Sequence, residues 1–481
     1  MDKFSFHTFM FPFRWKVSEK NDRPFSEQIA LGSIHYDNSP HWERVFTPPV
    51  IEKEGDDLYN ERNYFYEFVH PALYDDGSES TLIRHYERRE PQKGNLGDVT
   101  YHITCGKDKK EYILDVSSFN INLYSTGVGV LSFYMYNTRY PEFSDILAIN
   151  QYGRRVFPPF INDVNIRTEL AHKLEFDGLY GVYSEDFSQY TNLAKNNTPA
   201  SFITKMVHEV ADNIEMQPVV DDRMFVLCWC KNDKMTEEFE KRYEDFINNN
   251  EDWYKLVFVD ASSTSCQNDS MRQGLIKKAT YERWQKWCSL YGISRYSMVY
   301  LTNSGCPPYL TDYFETEYAR MAELVLMQRA SVLRFSSEVT RISKSASQKG
   351  FGERVSSLYK EYIHFENQIF FREVSAQDQG IEMYQKLFDA MNLKEQVEKL
   401  DDEIEELYNY VTLREDRRTN RTMSLLTWIT TIFLPVTVIT GYFSMNDYAA
   451  NNKFILQSSV MVLFAIIVIS IVLVINKKRI K

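Results

Sequence analysis

The chain has 481 residues, with 55 lysines and arginines against 67 aspartates and glutamates, and hence a net charge of −12. Apolar residues make up 43% and charged residues 25%, a balance that is typical of folded proteins and excludes a mostly disordered chain. The acidic excess argues against direct nucleic-acid binding, which requires clustered basic side chains. The 6 cysteines are too few for a disulfide-stabilised secreted scaffold.

Residues 1–310 have the pattern of an α+β domain with a large core. Stretches rich in β-branched and aromatic residues predict strands over 111–137 and 224–230. Apolar residues at helical spacing predict helices over 235–248 and 273–291. The first sixteen residues lack the continuous apolar core of a signal peptide, so we expect this domain in the cytoplasm.

Catalytic motifs are missing from the sequence. It contains no phosphate-binding loop, dinucleotide-binding glycine motif, zinc-protease helix or nucleophile elbow. Gly127 and Gly129 fall within a predicted strand, where they favour a bulge or close packing over phosphate binding. We therefore expect neither an enzyme nor a permanently bound cofactor.

After the α+β domain the pattern becomes helical. Residues 311–380 predict a helical hairpin, with one helix over 312–349 and a second over 353–374. The next helix, a stalk over 381–423, has no proline or glycine before Pro435 and is predicted to continue unbroken towards the C-terminus. Such a helix of about 60 residues would be about 90 Å long and would transmit a cytoplasmic event along its axis.

The stalk carries an apolar seam and an acidic cluster. After a change of register near Met391, the seam follows the 3-4 spacing of a coiled coil, at Val397, Leu400, Ile404, Leu407 and Val411. Between the seam positions lie the carboxylates Asp401, Asp402 and Glu405. In an oligomer they would form acidic rings that attract divalent cations, and in the alternative they are a solvated outer face of the helix.

Two uncharged stretches follow, at 424–443 and 454–475. Each is long enough to cross the hydrocarbon core of a bilayer, so we predict two transmembrane helices joined by an external loop at 444–453. Basic residues flank the pair on both sides, including the tail at 476–481, which places both termini in the cytoplasm. We expect an integral, two-span protein of a bacterial inner membrane.

Hydroxyl-bearing, small and slender residues share one face of the first predicted span. Helical spacing aligns Asn420, Met423, Thr427, Thr430, Leu434, Thr437, Gly441 and Ser444. This face is suited either to close packing against another helix or to lining a pore. One hairpin cannot enclose a pore, so the second alternative requires an oligomer.

The sequence TIFLPVTVITGYFSMN at 431–446, between a long helix and a second span, resembles the CorA-type magnesium transporters. The resemblance covers roughly 312–481 and implies a homopentameric funnel, with five first spans around a pore for Mg²⁺ or another divalent cation. It implies a pore path through Asn420, Met423, Leu426, Leu434 and Thr437, and an outer mouth at Ser444, Met445 and Asn446. Asp447, beside the mouth, either concentrates cations or only solvates the loop.

Ser444 stands where the family has a glycine, which puts strict magnesium selectivity in question. The resemblance leaves the metal sensor and the ligand-binding residues unassigned. Three hypotheses follow: a divalent-cation channel gated through its stalk, a signal-gated effector, and a membrane-anchored scaffold. The second resembles the CorA-like proteins of type III CRISPR systems, in which the cytoplasmic domain would bind an adenylate-type messenger such as an S-adenosylmethionine–AMP conjugate.

Overall fold

The structure is a computed structural model. It describes residues 3–18, 23–35, 40–47, 57–78, 81–89, 98–105, 108–157, 170–187, 198–219, 223–346, 348 and 350–445, and six positions between 459 and 470. These residues fall into two compact units, Met1–Ile404 and Glu405–Lys481.

Strands and helices alternate irregularly along the first unit, as an α+β domain requires. The strands are Ser5–Val17 (β1), Trp42–Arg44 (β2), Ile83–Arg88 (β3), Thr100–Cys105 (β4), Lys110–Tyr124 (β5), Val128–Asn137 (β6), Ala171–Asp177 (β7), Tyr183–Asp186 (β8), Ile214–Pro218 (β9), Phe225–Lys231 (β10), Thr280–Tyr281 (β11), Leu290–Ser294 (β12) and Ser297–Thr302 (β13). The helices are Phe25–Gln28 (α1), Asp57–Tyr64 (α2), His70–Leu73 (α3), Phe143–Gly153 (α4), Ser201–Val210 (α5), Asp233–Lys241 (α6), Tyr243–Asn249 (α7), Glu251–Phe258 (α8), Asp269–Ala279 (α9), Pro308–Glu315 (α10), Glu317–Ser343 (α11), Phe351–Gln368 (α12), Asp378–Ala390 (α13) and Leu393–Met445 (α14).

Within the described residues, thirteen strands form one sheet in the order β11-β12-β13-β10-β1-β6-β5-β4-β7-β8. Strand β3 pairs with β5 and β2, and β9 pairs with β1. The pairing of β10 with β13 is parallel, whereas those of β1 with β6, β9 and β10 are antiparallel. Strand β1 therefore lies at the centre of the sheet.

The two faces of β1 are covered by different helices. On one face, His7 Nδ1 lies 2.7 Å from Asn150 Oδ1 of α4. On the other, Arg14 Nη1 donates to Ser337 Oγ of α11 at 3.1 Å. Alternate side chains of a strand point to opposite faces, so the odd-numbered residues of β1 face α4 and the even-numbered residues face α11. The strand is buried on both sides, which explains its nearly continuous apolar sequence.

A proline is tolerated in this central strand because its neighbour on one side changes there. Strand β10 pairs with β1 only as far as Met10, and β9 takes over from Phe13. Pro12 falls between the two, where its missing N–H costs no hydrogen bond to either strand.

Helix α11 is bonded to the sheet along its length. The buried Glu323 accepts a hydrogen bond from the Tyr124 hydroxyl at 2.9 Å. Two turns later, Ser331 Oγ lies 2.8 Å from Thr126 Oγ1, and Arg334 Nη1 then donates to the carbonyl of Gly127 at 2.9 Å. The buried face of α11 is thus tied to β5 and to the turn that joins β5 to β6.

Two further helices pack on α11, and a buried polar group fixes their arrangement. Gln328 Nε2 of α11 donates to the carbonyl of Ile369, just after α12, at 2.8 Å. The Tyr384 hydroxyl of α13 lies 3.1 Å from the same nitrogen and donates to the carbonyl of Phe371 at 2.7 Å. These bonds satisfy polar groups that would otherwise destabilise the buried interface.

The sheet domain also contacts α13 directly. Arg283, which follows β11, reaches Glu382 Oε1 at 2.6 Å and Asp378 Oδ2 at 3.2 Å. The Tyr281 hydroxyl donates to the other oxygen of Glu382. The hydrogen bonds from Tyr281 and Arg283 lower the pKa of the Glu382 carboxyl. This ion-paired cluster joins the sheet edge to the helices that precede α14.

Several sequence predictions are confirmed, and two are wrong. The α+β domain and the strands within 111–137 and 224–230 are present. The helix over 273–291 is wrong, because α9 ends at Ala279 and strands β11 and β12 follow. The unbroken helix from residue 381 is also wrong, because α13 ends at Ala390 and α14 begins at Leu393.

Close packing at Gly129 predicts a large effect of adding a single methyl group. A Cβ at this position would lie 2.4 Å from Cζ of Phe13 and 2.9 Å from Cδ2 of Leu123. We expect Gly129→Ala to lower the free energy of unfolding by about 1–3 kcal/mol, the usual range for overpacking. Denaturant unfolding of the full chain in detergent measures this. Gly32→Ala is the control, because no atom lies within 4 Å of its added Cβ; equal effects of the two substitutions would contradict the prediction.

The cluster at Glu382 predicts a pH-dependent contribution to stability. The pKa of Glu382 in the folded chain lies below its ordinary value of 4.5, so the contribution is fully present above about pH 4.5 and is lost as the pH falls through the folded pKa. We expect Glu382→Gln to lower the free energy of unfolding at pH 7 by about 0.5–1 kcal/mol, the scale of an exposed ion pair. The difference from the unsubstituted chain should shrink below pH 4.5. Glu398→Gln, which removes an exposed carboxylate on α14, is the matched control, and a difference that does not shrink as the pH falls below 4.5 would contradict the assignment.

Candidate functional site

Helix α14 carries most of the residues for which the sequence predicts a function, and it begins at a sharp break. Asn392, between α13 and α14, has a positive φ of 54°. Its side-chain Nδ2 donates to Glu395 Oε2 in the first turn of α14 at 2.9 Å. Asparagine adopts this left-handed conformation more readily than other non-glycine residues. The break coincides with the change of register in the apolar pattern near Met391.

Past the break, α14 packs through the predicted seam. Val397, Leu400 and Ile404 are buried at 5%, 1% and 1% exposure. The first three positions of the predicted seam are therefore side chains that α14 buries within the first unit.

The three acidic residues of the stalk do not share one environment. Asp401 is half-buried, whereas Asp402 and Glu405 are exposed. Burial raises the pKa of Glu366 on α12, and the nearby Asp401 carboxylate raises it further. Among the described residues, no group of three or more His, Cys, Asp or Glu side chains is placed to hold a metal ion.

The distal part of α14 exposes large apolar side chains on all sides. Of the predicted pore residues, Met423, Leu426 and Leu434 are 60%, 56% and 67% exposed. Leu425, on the opposite side of the helix from Leu434, is 62% exposed, and Phe433 is 63% exposed. Asn420 and Thr437 are exposed as well. Large apolar side chains exposed in this way are suited to contact with lipid or with other protein chains rather than with water.

The threonine hydroxyls of this segment are satisfied within the helix. Thr427 Oγ1 donates to the carbonyl of Met423 at 2.8 Å, and Thr431 Oγ1 donates to that of Thr427 at 2.7 Å. Thr437 Oγ1 donates to the carbonyl of Phe433 at 2.6 Å. A hydroxyl that donates to the carbonyl four residues earlier can also accept a hydrogen bond or contact a cation through its oxygen.

The predicted outer mouth is only partly described. Ser444 and Met445 end α14, but their side chains lie outside the described residues. Asn446, Asp447, the rest of the loop and the tail also lie outside them, as does most of the second predicted span, 454–475. The hairpin and its boundaries therefore stay predictions.

We find no helix in the described part of the chain that is both long enough and apolar enough to traverse a bilayer.

Sequence reasoning missed the contacts that hold the helices to the sheet. Arg283 and Glu382 are 99 residues apart, and neither lies in a recognisable motif. The register change near Met391 was the available signal for the break at Asn392, since a continuous helix has no need to shift its apolar face.

Comparison with known proteins yields a family for the C-terminal part of the chain. Residues 333–479 match the family model described as CorA-like Mg²⁺ transporter protein. No curated protein matches the chain. The matched residues include the last turns of α11, all of α12 to α14 and the predicted outer mouth. Members of this family are membrane-associated transporters or channels for divalent cations rather than enzymes. The similarity to the CorA-like Mg²⁺ transporter family is thus confined to residues 333–479 of the chain.

Proposed function

We propose that the protein is a membrane channel or transporter that conducts divalent cations, Mg²⁺ foremost, through a pore formed by residues 424–443 of five chains. The observation that carries the proposal is the apolar surface of distal α14, which is exposed on all sides within a segment that matches the CorA-like family. Such a helix needs both a lipid-facing and a protein-facing environment, which an oligomer in a bilayer supplies.

The proposed path has two kinds of ring. Asn446 would present five amide oxygens at the mouth, which suit a hydrated cation because Mg²⁺ gives up its water reluctantly. Met423, Leu426 and Leu434 would form apolar constrictions that close the conduit by excluding water. Thr437 lies between the two, and its lone pairs would face the path.

Control from the cytoplasmic domain would pass through the helices that precede the pore. The contacts of Arg283 and Tyr281 with Glu382 join the sheet domain to α13, and Asn392 separates α13 from α14. A change in the domain would thus reach α14 through a bent connection rather than a single rigid rod.

A second candidate function is a signal-gated effector, in which an adenylate-type messenger bound by the large domain opens the pore. The thirteen-stranded sheet of the described residues favours it, because α14 alone would form a pore without so extensive a domain. Ser444 at the mouth, in place of the family's glycine, is a further departure from a housekeeping magnesium transporter.

Mg²⁺ flux into liposomes that contain the purified protein tests the proposal. We expect saturable Mg²⁺ entry, measured with an entrapped magnesium-sensitive dye and no added nucleotide. Asn446→Ala should lower the initial rate by about tenfold, because the cation loses a ring of hydrogen-bond acceptors. Asn451→Ala, in the same loop, is the matched control. No flux at any magnesium concentration would instead favour the signal-gated candidate, and unchanged flux in Asn446→Ala would remove Asn446 from the path.

The apolar constriction predicts a leak when it is made polar. Leu434→Ser should raise the resting cation flux several-fold, because a hydroxyl ring stabilises water in the narrow part of the conduit. Leu425→Ser, on the opposite side of α14, is the control and should leave the resting flux unchanged. Equal leaks in the two variants would show that the gate does not depend on the Leu434 face.

A further inference from the structure

A basic cavity of about 500 Å³ lies between the sheet and α11 in the first unit. Five cations line it: Arg14 and Lys16 on β1, and Arg334, Arg341 and Lys344 on or just after α11. This concentration of positive charge contrasts with the net charge of −12 of the whole chain.

Two carboxylates also line the cavity, and each has its own partner. Glu215 Oε2 lies 2.9 Å from Lys16 Nζ, and Glu338 Oε2 lies 2.7 Å from Arg341 Nη2. The three other cations form no ion pair with a carboxylate among the described residues. The cavity therefore has an excess of three positive charges.

Of the three cations without an ion pair (Arg14, Arg334 and Lys344), Arg334 is buried and only 4% exposed. Its Nη1 donates to the carbonyls of Trp15 and Gly127, at 3.0 and 2.9 Å. Its Nε is buried and has no hydrogen-bond partner. Burial lowers the pKa of the Arg334 guanidinium to about 10; Arg14 and Arg341 add to this effect and Glu338 opposes it. The group is thus charged at neutral pH but makes no ion pair of its own among the described residues, because Glu338 is paired with Arg341, and this is an unfavourable state for a buried cation.

We infer that this cavity is a binding site for a phosphate-bearing anion. A bound phosphate would offset the burial of Arg334 and would bring Arg14 and Lys344 to a common partner. Two guanidinium groups suit phosphate because their planar forks donate pairs of hydrogen bonds to its oxygens. The volume exceeds that of a lone phosphate ion, and the amides of Gln28 and Gln217 in the lining suit a ligand with a polar organic part.

The position of the cavity gives binding a structural consequence. One wall belongs to β1 and β9 of the sheet, and the other belongs to the end of α11, where the family-matched segment begins. An anion held by both walls would fasten that segment to the sheet. Binding of an anion in this cavity does not depend on ion conduction.

Inorganic pyrophosphate is the probe for this site. We expect saturable binding to the full-length protein in nanodiscs of phosphatidylcholine, measured by calorimetry at fixed ionic strength. Arg14→Gln and Lys344→Gln should each weaken the affinity by about tenfold, the effect of one charge-assisted hydrogen bond. Hydrogen exchange of the backbone amides at 337–344 should slow when pyrophosphate binds.

Lys234→Gln is the matched control, because it removes one exposed lysine on α6, away from the cavity, and should leave the affinity unchanged. Absence of saturable binding, or equal effects of Lys344→Gln and Lys234→Gln, would overturn the inference. Nanodiscs that contain phosphatidylglycerol distinguish the two sources of phosphate. An unchanged pyrophosphate affinity in these nanodiscs supports a soluble ligand. A weaker affinity, caused by competition from phosphatidylglycerol, would assign the cavity to a lipid headgroup and would overturn the assignment to a soluble ligand.

Discussion

The central position of β1 is the constraint on which the rest of the first unit depends. This strand pairs with β6 along one edge and with β10 and then β9 along the other, and helices cover both of its faces. The cavity exists because the far end of β1 carries Arg14 and Lys16 on the side that faces α11. Without β1 in this place, neither the sheet nor the support for α11 would be complete.

Within the first unit, helix α11 packs both against the sheet and against helices α12 and α13. Its buried face forms hydrogen bonds to β5 and the following turn through Glu323, Ser331 and Arg334. Gln328 forms hydrogen bonds to the carbonyl of Ile369, just after α12, and to Tyr384 of α13. The family match begins at residue 333, within this helix, so the boundary in sequence similarity is not a boundary in structure. A regulatory signal from the sheet to α12 and α13 would need no flexible linker, since all three pack on the same helix.

The sequence predicted what local pattern determines and missed what distant contacts determine. Strands β5, β6 and β10 have β-branched and aromatic runs, and the seam of α14 has regular spacing, so both could be predicted. Strand β1 was missed because its two-sided burial removes the alternation that marks a half-exposed strand. The helix expected up to residue 291 ends early because β12 is held by pairing with β13, which overrides local helical preference. The pore face could be proposed from the sequence, but the pore itself needs several chains. The cavity forms only where β1 lies beside α11, and no local sequence pattern encodes that contact.

The internal hydrogen bonds of the threonines in α14 bear on how an oligomer would assemble. A helix whose hydroxyls already donate to its own carbonyls can enter hydrocarbon as a single chain, since no side-chain donor of Thr427, Thr431 or Thr437 has to find a partner first. Insertion and association would then be separate steps. Monomers would insert first and associate into a ring afterwards. The subunits would then recognise one another by the shape of their side chains rather than by hydrogen bonds to unsatisfied polar groups.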